Sequence, residues 1–238
     1  MSIVTLPRPS PNFDARADGA EIDILLLHYT GMKSAEEALA RLCDPSTAVS
    51  AHYLIDEAGQ IFYLVAEDDR AWHAGEAAWA GESDINSRAI GIELANPGHD
   101  LGYQDFSVAQ IDSLVTLTHT ILTRHPIPAA RVLGHSDVAP YRKQDPGERF
   151  PWERLSAAGI GLAPPKDLAP QISTPGQNAF ARDLALFGYA MGEGVDPARI
   201  EEVIMAFRRH FRPDHLAGPL DSIDGARLTW LIHASDVG

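Results

Sequence analysis

Ile22-Asp23-Ile24-Leu25-Leu26-Leu27-His28-Tyr29-Thr30-Gly31 is an apolar run too short for a buried helix and too continuous for a surface strand. It reads as a central strand, covered on both faces and ending in His28. A second strand-end histidine lies far along the chain, where Arg131-Val132-Leu133 reads as a short strand leading into Gly134-His135-Ser136-Asp137-Val138-Ala139-Pro140-Tyr141-Arg142-Lys143-Gln144-Asp145-Pro146-Gly147. Open α/β folds collect their chemistry at the carboxyl ends of strands. The loop-forming stretch after the second strand places an imidazole, an ammonium and a carboxylate close together, a set able to hold a divalent metal and steady an oxyanion. A catalytic zinc takes about three protein ligands and leaves one position open for water, so His28 is the natural partner from another strand end. Each histidine taken singly also fits a packed structural role. Their company, with Asp145 in a loop punctuated by Pro and Gly, favours a metal.

Outward from these strands, Ser34 is placed to cap a helix over Ala35 to Leu42 with Glu37 completing a capping box, and Cys43 is expected on its buried face. Ala51 to Asp56 and Gln60 to Val65 flank Glu57-Ala58-Gly59, which predicts a β-hairpin. His52 on that hairpin either faces the site or packs and orients its neighbours. Arg70-Ala71-Trp72-His73-Ala74-Gly75 and the following loop through Trp79, Asn86 and Arg88 read either as a ligand-gripping surface or as indoles covering the core. In the strand Ala89-Ile90-Gly91-Ile92-Glu93-Leu94, Glu93 is the anomaly, because a carboxylate there is costly to bury unless it is paired or used. Exposure on an edge strand is the alternative. A long helix then starts at Ser107, with Gln110 closing its box and Val108, Ile111, Leu114, Val115, Thr118, Ile121 and Leu122 along one apolar face. His119 and His125 lie on or just after it and are expected to serve the scaffold rather than a metal.

The chain has 238 residues, 45% of them hydrophobic, enough for one well-buried domain and a small second one. A net charge of −14 argues against a nucleic-acid partner, which would draw on clustered Lys and Arg. The single cysteine leaves no disulfide framework. Residues 1–20 form an extended segment without the apolar core of a signal peptide or membrane span, so the chain as written is expected in the cytoplasm, or in the periplasm if a leader has been removed.

Past Leu162, the prolines between Ala163 and Gly176 predict a semi-rigid linker and a domain boundary. Residues 177–238 read as three helices. The first carries Phe180, Leu184 and Phe187; the second opens at Asp196-Pro197 and carries Ile200, Val203, Ile204 and Phe207; the third includes Ala226, Leu228, Leu231 and Ile232. A bundle of about sixty residues is marginal alone and should lean on its neighbour. Arg208, Arg209, His210 and Arg212 form its basic cluster, either a solvated helix face or a contact for the carboxylates of a ligand.

His28-Tyr29-Thr30, Ser50-Ala51-His52-Tyr53, Ala71-Trp72-His73-Ala74-Gly75, Ile90-Gly91-Ile92-Glu93-Leu94 and the stretch from Gly134 to Gly147 resemble, in order, the motifs of the AmpD/AmiD-type N-acetylmuramoyl-L-alanine amidases. Those enzymes belong with phage amidases and peptidoglycan-recognition proteins. The resemblance spans about Ile22 to Leu162, and Val203 to Pro213 is similar to the peptidoglycan-binding module of AmiD-type enzymes. It implies an α/β fold with a mixed central sheet flanked by helices in a catalytic domain over 21–162, the linker over 163–176 and a small helical domain over 177–238. It further implies one Zn2+ on His28, His135 and Asp145, a catalytic Glu93 and an oxyanion-stabilising Lys143; His52 on the hairpin and Trp72, His73 and Asn86 on the following loop are the substrate-binding candidates. The expected reaction is hydrolysis of the amide between the lactyl group of muramic acid and L-alanine, in peptidoglycan fragments or muropeptides, by a monomer. A recognition module that binds without cutting is the alternative, disfavoured by the third ligand Asp145. A protein-cutting zinc peptidase is disfavoured because the chain has no His-Glu-x-x-His helix.

Overall fold

The computed structural model describes residues 4–191 and 197–235. Its elements run β1 (Thr5–Pro7), β2 (Phe13–Ala15), β3 (Ile24–Tyr29), α1 (Ala35–Leu42), β4 (Tyr53–Ile55), β5 (Ile61–Tyr63), β6 (Asp69–Ala71), α2 (Ile85–Arg88), β7 (Ala89–Leu94), α3 (Gly98–Leu101) and α4 (Val108–Arg124). There follow β8 (Val132–Gly134), α5 (His135–Val138), α6 (Trp152–Ala157), α7 (Gln177–Phe187), α8 (Pro197–Phe211) and α9 (Ser222–Ser235).

Six strands form one mixed sheet in the order β1-β5-β4-β7-β3-β8, while β2 and β6 pair separately. The apolar run becomes β3, flanked by parallel β7 and β8, and its residues Ile24 to Leu27 are fully buried. Alternation sends Leu25 and Leu27 to one face, against Ile111, Leu114, Leu117 and Ile121 of α4, and Ile24 and Leu26 to the other. A strand sealed on both sides has no use for polar alternation, which is why the sequence reads as continuous.

The second face is covered by the C-terminal helices. Phe180, Leu184, Val203, Phe207, Leu228 and Leu231 share a hydrophobic core with Ile24, Leu26, Trp79, Leu133 and Val138. The proline-rich stretch therefore links two parts of one packed body, not two separate cores. Trp79 is 2% exposed at the centre of this contact, edge-on to Phe187 and Tyr189, so its indole covers the core and does not grip a ligand. Three of the four basic residues, Arg208, His210 and Arg212, are likewise internal, while Arg209 is half-buried. Arg208 is buried on Asp224 and the carbonyls of Leu216, Gly218 and Pro219; Arg212 pairs with Asp221 and Asp224. Neither a solvated face nor a wall-facing patch survives at these positions, because a buried guanidinium must spend its donors on protein acceptors.

Local expectations hold with adjustments. Ser34 and Ser107 cap their helices through Glu37 N and Gln110 N. Neither box closes as expected: Glu37 accepts from Lys33 N, and Gln110 is buried with its amide donating to the carbonyls of Ile55 and Ala95. Cys43 is the C-cap of α1, half-buried against the same cluster as Ala38, Leu39 and Leu42, and Val108 is 65% exposed. Asp196, expected to open the second C-terminal helix, lies outside the described residues. Among the described residues no helix is long and apolar enough to cross a membrane.

Candidate active site

Register builds the site. In the parallel pair β3–β7, His28 lies opposite Glu93, and in β3–β8, Leu27 lies opposite Gly134, so His135 is the next residue beyond the partner strand's end. Three parallel strands thus deliver His28, Glu93 and His135 to one carboxyl edge. Asp145 arrives from the loop after α5, tied back by Ser136 N donating to the Asp145 carbonyl at 2.9 Å.

The two Nδ1 atoms of His28 and His135 lie 2.9 Å apart, and Asp145 Oδ2 is 3.1 Å from the first and 3.0 Å from the second. All three residues are buried. His135 Nε2 donates to the Ala74 carbonyl at 2.9 Å, since a carbonyl can only accept. A neutral His135 therefore turns its Nδ1 lone pair towards its two neighbours. Two nitrogen lone pairs and a carboxylate oxygen at this spacing repel unless a proton or a cation lies among them. The donor set fits zinc, whose ligand bonds of about 2.0–2.2 Å bring its ligand atoms to comparable separations. Were a cation held among these atoms, His28 Nε2–H would donate to His73 Nδ1, 3.1 Å away, and the second ring would also have its tautomer fixed from behind.

Electrostatics agree with this arrangement. Burial, and then the neighbouring His135, push His28 down to about 4, which keeps it neutral and able to bind at ordinary pH. Burial works to raise Asp145, but His135 and then His28 outweigh it and hold the carboxyl below the usual carboxylate range. Glu93 goes the other way: burial, and then the charge of Asp145, push it up to about 8. Its Oε2 is buried without a hydrogen-bond partner. An unpartnered carboxylate oxygen beside a ligand cluster has the makings of a proton acceptor.

These side chains line a cleft of about 370 Å3, which also takes in Trp72, His73 and Lys143 and, towards α1, Met32 and Arg41. Among the substrate-binding candidates, Trp72 and His73 do face it. His52 does not. It is fully buried, accepts from Gly91 N at 3.0 Å and lies against Arg16 Nη2 and the Asp69 carbonyl, and burial and then Arg16 push it down to about 3. Asn86 is buried too, its Oδ1 accepting from His73 N and Ala74 N, so it shapes the loop that carries His73 instead of meeting a ligand. Gly91 explains the close packing here, since a Cβ at that position would fall 2.6 Å from the His73 ring.

Two contributors had no separate reading from sequence. Arg142 donates to the carbonyls of Ala74 and Glu76 and braces the loop over the cleft. Asp137 is fully buried and accepts from Gly134 N, directly before His135. A carboxylate between a ligand candidate and an apolar pair was the available signal for the second.

Residues 18–148 match the family model described as N-acetylmuramoyl-L-alanine amidase. The chain is 37% identical over 227 residues to N-acetylmuramoyl-L-alanine amidase AmiD of Escherichia coli K12, covering 87% of this chain and 81% of that protein. The structure of E. coli AmiD with the substrate anhydro-N-acetylmuramic acid-L-Ala-D-gamma-Glu-L-Lys superposes with a TM-score of 0.82 at 34% identity, covering 92% of each chain. That of AMPDH3 from Pseudomonas aeruginosa with anhydromuramic pentapeptide gives 0.78 at 31%, covering 99% of this chain and 98% of the other. With a matching family model, a relative alike along nearly its whole length and the same mixed sheet beneath the cleft, the chain belongs to the N-acetylmuramoyl-L-alanine amidase family.

Proposed function

We propose that His28, His135 and Asp145 hold one zinc ion per chain, that Glu93 and Lys143 are the catalytic side chains, and that the protein hydrolyses the amide joining the muramic acid lactyl group to L-alanine in peptidoglycan fragments. The observation that carries this reading is the meeting of three buried ligand atoms within about 3 Å of one another in the cleft that Glu93 also lines. A zinc ion in such a site supplies a Lewis acid and lowers the pKa of water towards about 7. Glu93 takes a proton from the attacking water at its carboxylate and delivers it to the departing amine of L-alanine. Charge gathering on the lactyl carbonyl oxygen is offset by the ammonium of Lys143, which has no ion-pair partner among the described residues. His73 and the Ala74 carbonyl keep the two ligand rings in their binding tautomers. The muropeptides bound to AmiD and AMPDH3 support a fragment of this kind as the substrate.

The test is release of peptide from a soluble anhydro-muropeptide and, in parallel, from intact sacculi. We expect a peptide beginning with L-alanine, lost on chelation and restored by zinc. Tight binding of the fragment without cleavage at any zinc concentration would make this a recognition module instead. The ratio of the two rates identifies the preferred form of substrate.

A further inference from the structure

Asp137 is fully buried two residues beyond His135, and both of its oxygens accept hydrogen bonds. Its Oδ2 accepts from Gly134 N at 2.7 Å and from His210 Nδ1 at 2.7 Å, and its Oδ1 accepts from Tyr189 OH at 2.6 Å. The first bond ties the carboxylate to the peptide that enters α5, the short helix whose first residue is His135. The other two come from the C-terminal part of the chain, 73 and 52 residues away in sequence. His210 is itself held flat between Trp152 and Phe211, with ring centroids at 3.6 and 3.7 Å. Tyr189 is fixed by packing edge-on to Trp79. A buried carboxylate needs its donors, and charge-assisted bonds of this length are directional. The rotamer of Asp137, and through Gly134 N the setting of α5, thus depend on two side chains outside the part of the chain that supplies the ligands.

We infer that His210 and Tyr189 are positioning residues for the metal centre: the C-terminal segment clamps Asp137 and so holds His135 at the angle at which its Nδ1 meets His28 Nδ1 and Asp145 Oδ2. This rests on the proposed zinc site and gives the helical segment a role inside the catalytic unit. The clamp touches neither cleft nor substrate. Its effect should fall on metal affinity and ligand geometry, as for other groups that orient a ligating histidine.

The experiment uses the full chain with His210→Phe, which keeps a ring between Trp152 and Phe211 but removes the donor, Tyr189→Phe, which removes only the hydroxyl, and His210→Gln, which offers an amide donor in place of Nδ1. Leu184→Ala, in the same hydrophobic core but without contact to Asp137, controls for loss of stability. Zinc dissociation constants by chelator competition and visible spectra of the Co(II) form are measured beside thermal melts. We expect zinc affinity to fall about tenfold or more in His210→Phe and Tyr189→Phe, with altered Co(II) bands, partial recovery in His210→Gln, and a wild-type dissociation constant and spectrum for Leu184→Ala despite its lower melting temperature. If His210→Phe does not fold, Tyr189→Phe decides alone. Wild-type affinity and spectra in both donor-free variants, or an equal loss in Leu184→Ala, would overturn the inference. A wild-type chain that binds no metal would instead remove the proposed function.

Discussion

Replacing Glu93 by Gln separates its chemical role from its structural cost. The two side chains have nearly the same shape, but only the carboxylate can take a proton from water. Loss of a positioned general base lowers turnover by about 10²- to 10⁴-fold, and zinc content should stay at the wild-type level because Glu93 is not among the three ligand atoms. Stability should move the opposite way. In the metal-free protein Glu93 is raised from 4.5 to about 8 by burial and then by Asp145. A carboxyl with a raised folded-state pKa favours folding fully below its unfolded value and loses that contribution as pH rises through the folded one. At ~1.4 kcal/mol per pH unit, holding this group protonated at pH 7 costs at most about 3.5 kcal/mol, and water entering the cleft lowers that figure. The Gln variant, with nothing to ionise, should therefore melt several degrees higher than wild type at pH 7 when both are metal-free, at roughly 2–4 °C per kcal/mol for a chain of this size. The difference should shrink towards zero near pH 4.5 and grow up to about pH 8. Chromatographic assay of muropeptide hydrolysis and calorimetry over that pH range are the measurements. Turnover within tenfold of wild type would remove Glu93 from the proton path; a pH-independent melting difference would refute the electrostatic account of its burial.

Three further outcomes follow from the same geometry. His28→Ala should lose both zinc and turnover, measured as metal per chain and peptide release, and retention of bound metal would show that the ligand set is wrong. Lys143→Ala should keep its zinc while kcat falls about 10²- to 10³-fold, the loss typical of one oxyanion-stabilising donor; an effect confined to KM would assign the ammonium to binding. Arg208→Ala should destabilise the fold by about 1–3 kcal/mol in urea titration, because the fully buried Asp224 is left with Arg212 as its charged partner and the carbonyls of Leu216, Gly218 and Pro219 lose their donor, whereas no measurable loss would mean the pair is effectively solvated.

What the sequence alone determined about this protein is everything carried by short-range pattern. The apolar run to His28, the strand into His135 and the cap residues Ser34 and Ser107 specify strands and helices, because periodicity and loop chemistry act over a few residues, and the ordered motifs add a candidate ligand set through their resemblance to the amidases. The anomalous Glu93 could be read for the same reason: a carboxylate out of place in an apolar strand is visible without knowing its neighbours. Tertiary structure alone decided what surrounds each polar group. His52 and Asn86 sit in the right motifs yet point into packing, since Arg16 and the turn before β7 close over them. Arg208 and His210 look like a basic surface in one dimension and become buried hubs in three, because Asp224 and Asp137 meet them only on folding. Burial and pairing belong to residues distant in the chain, and no local pattern records which of those will arrive.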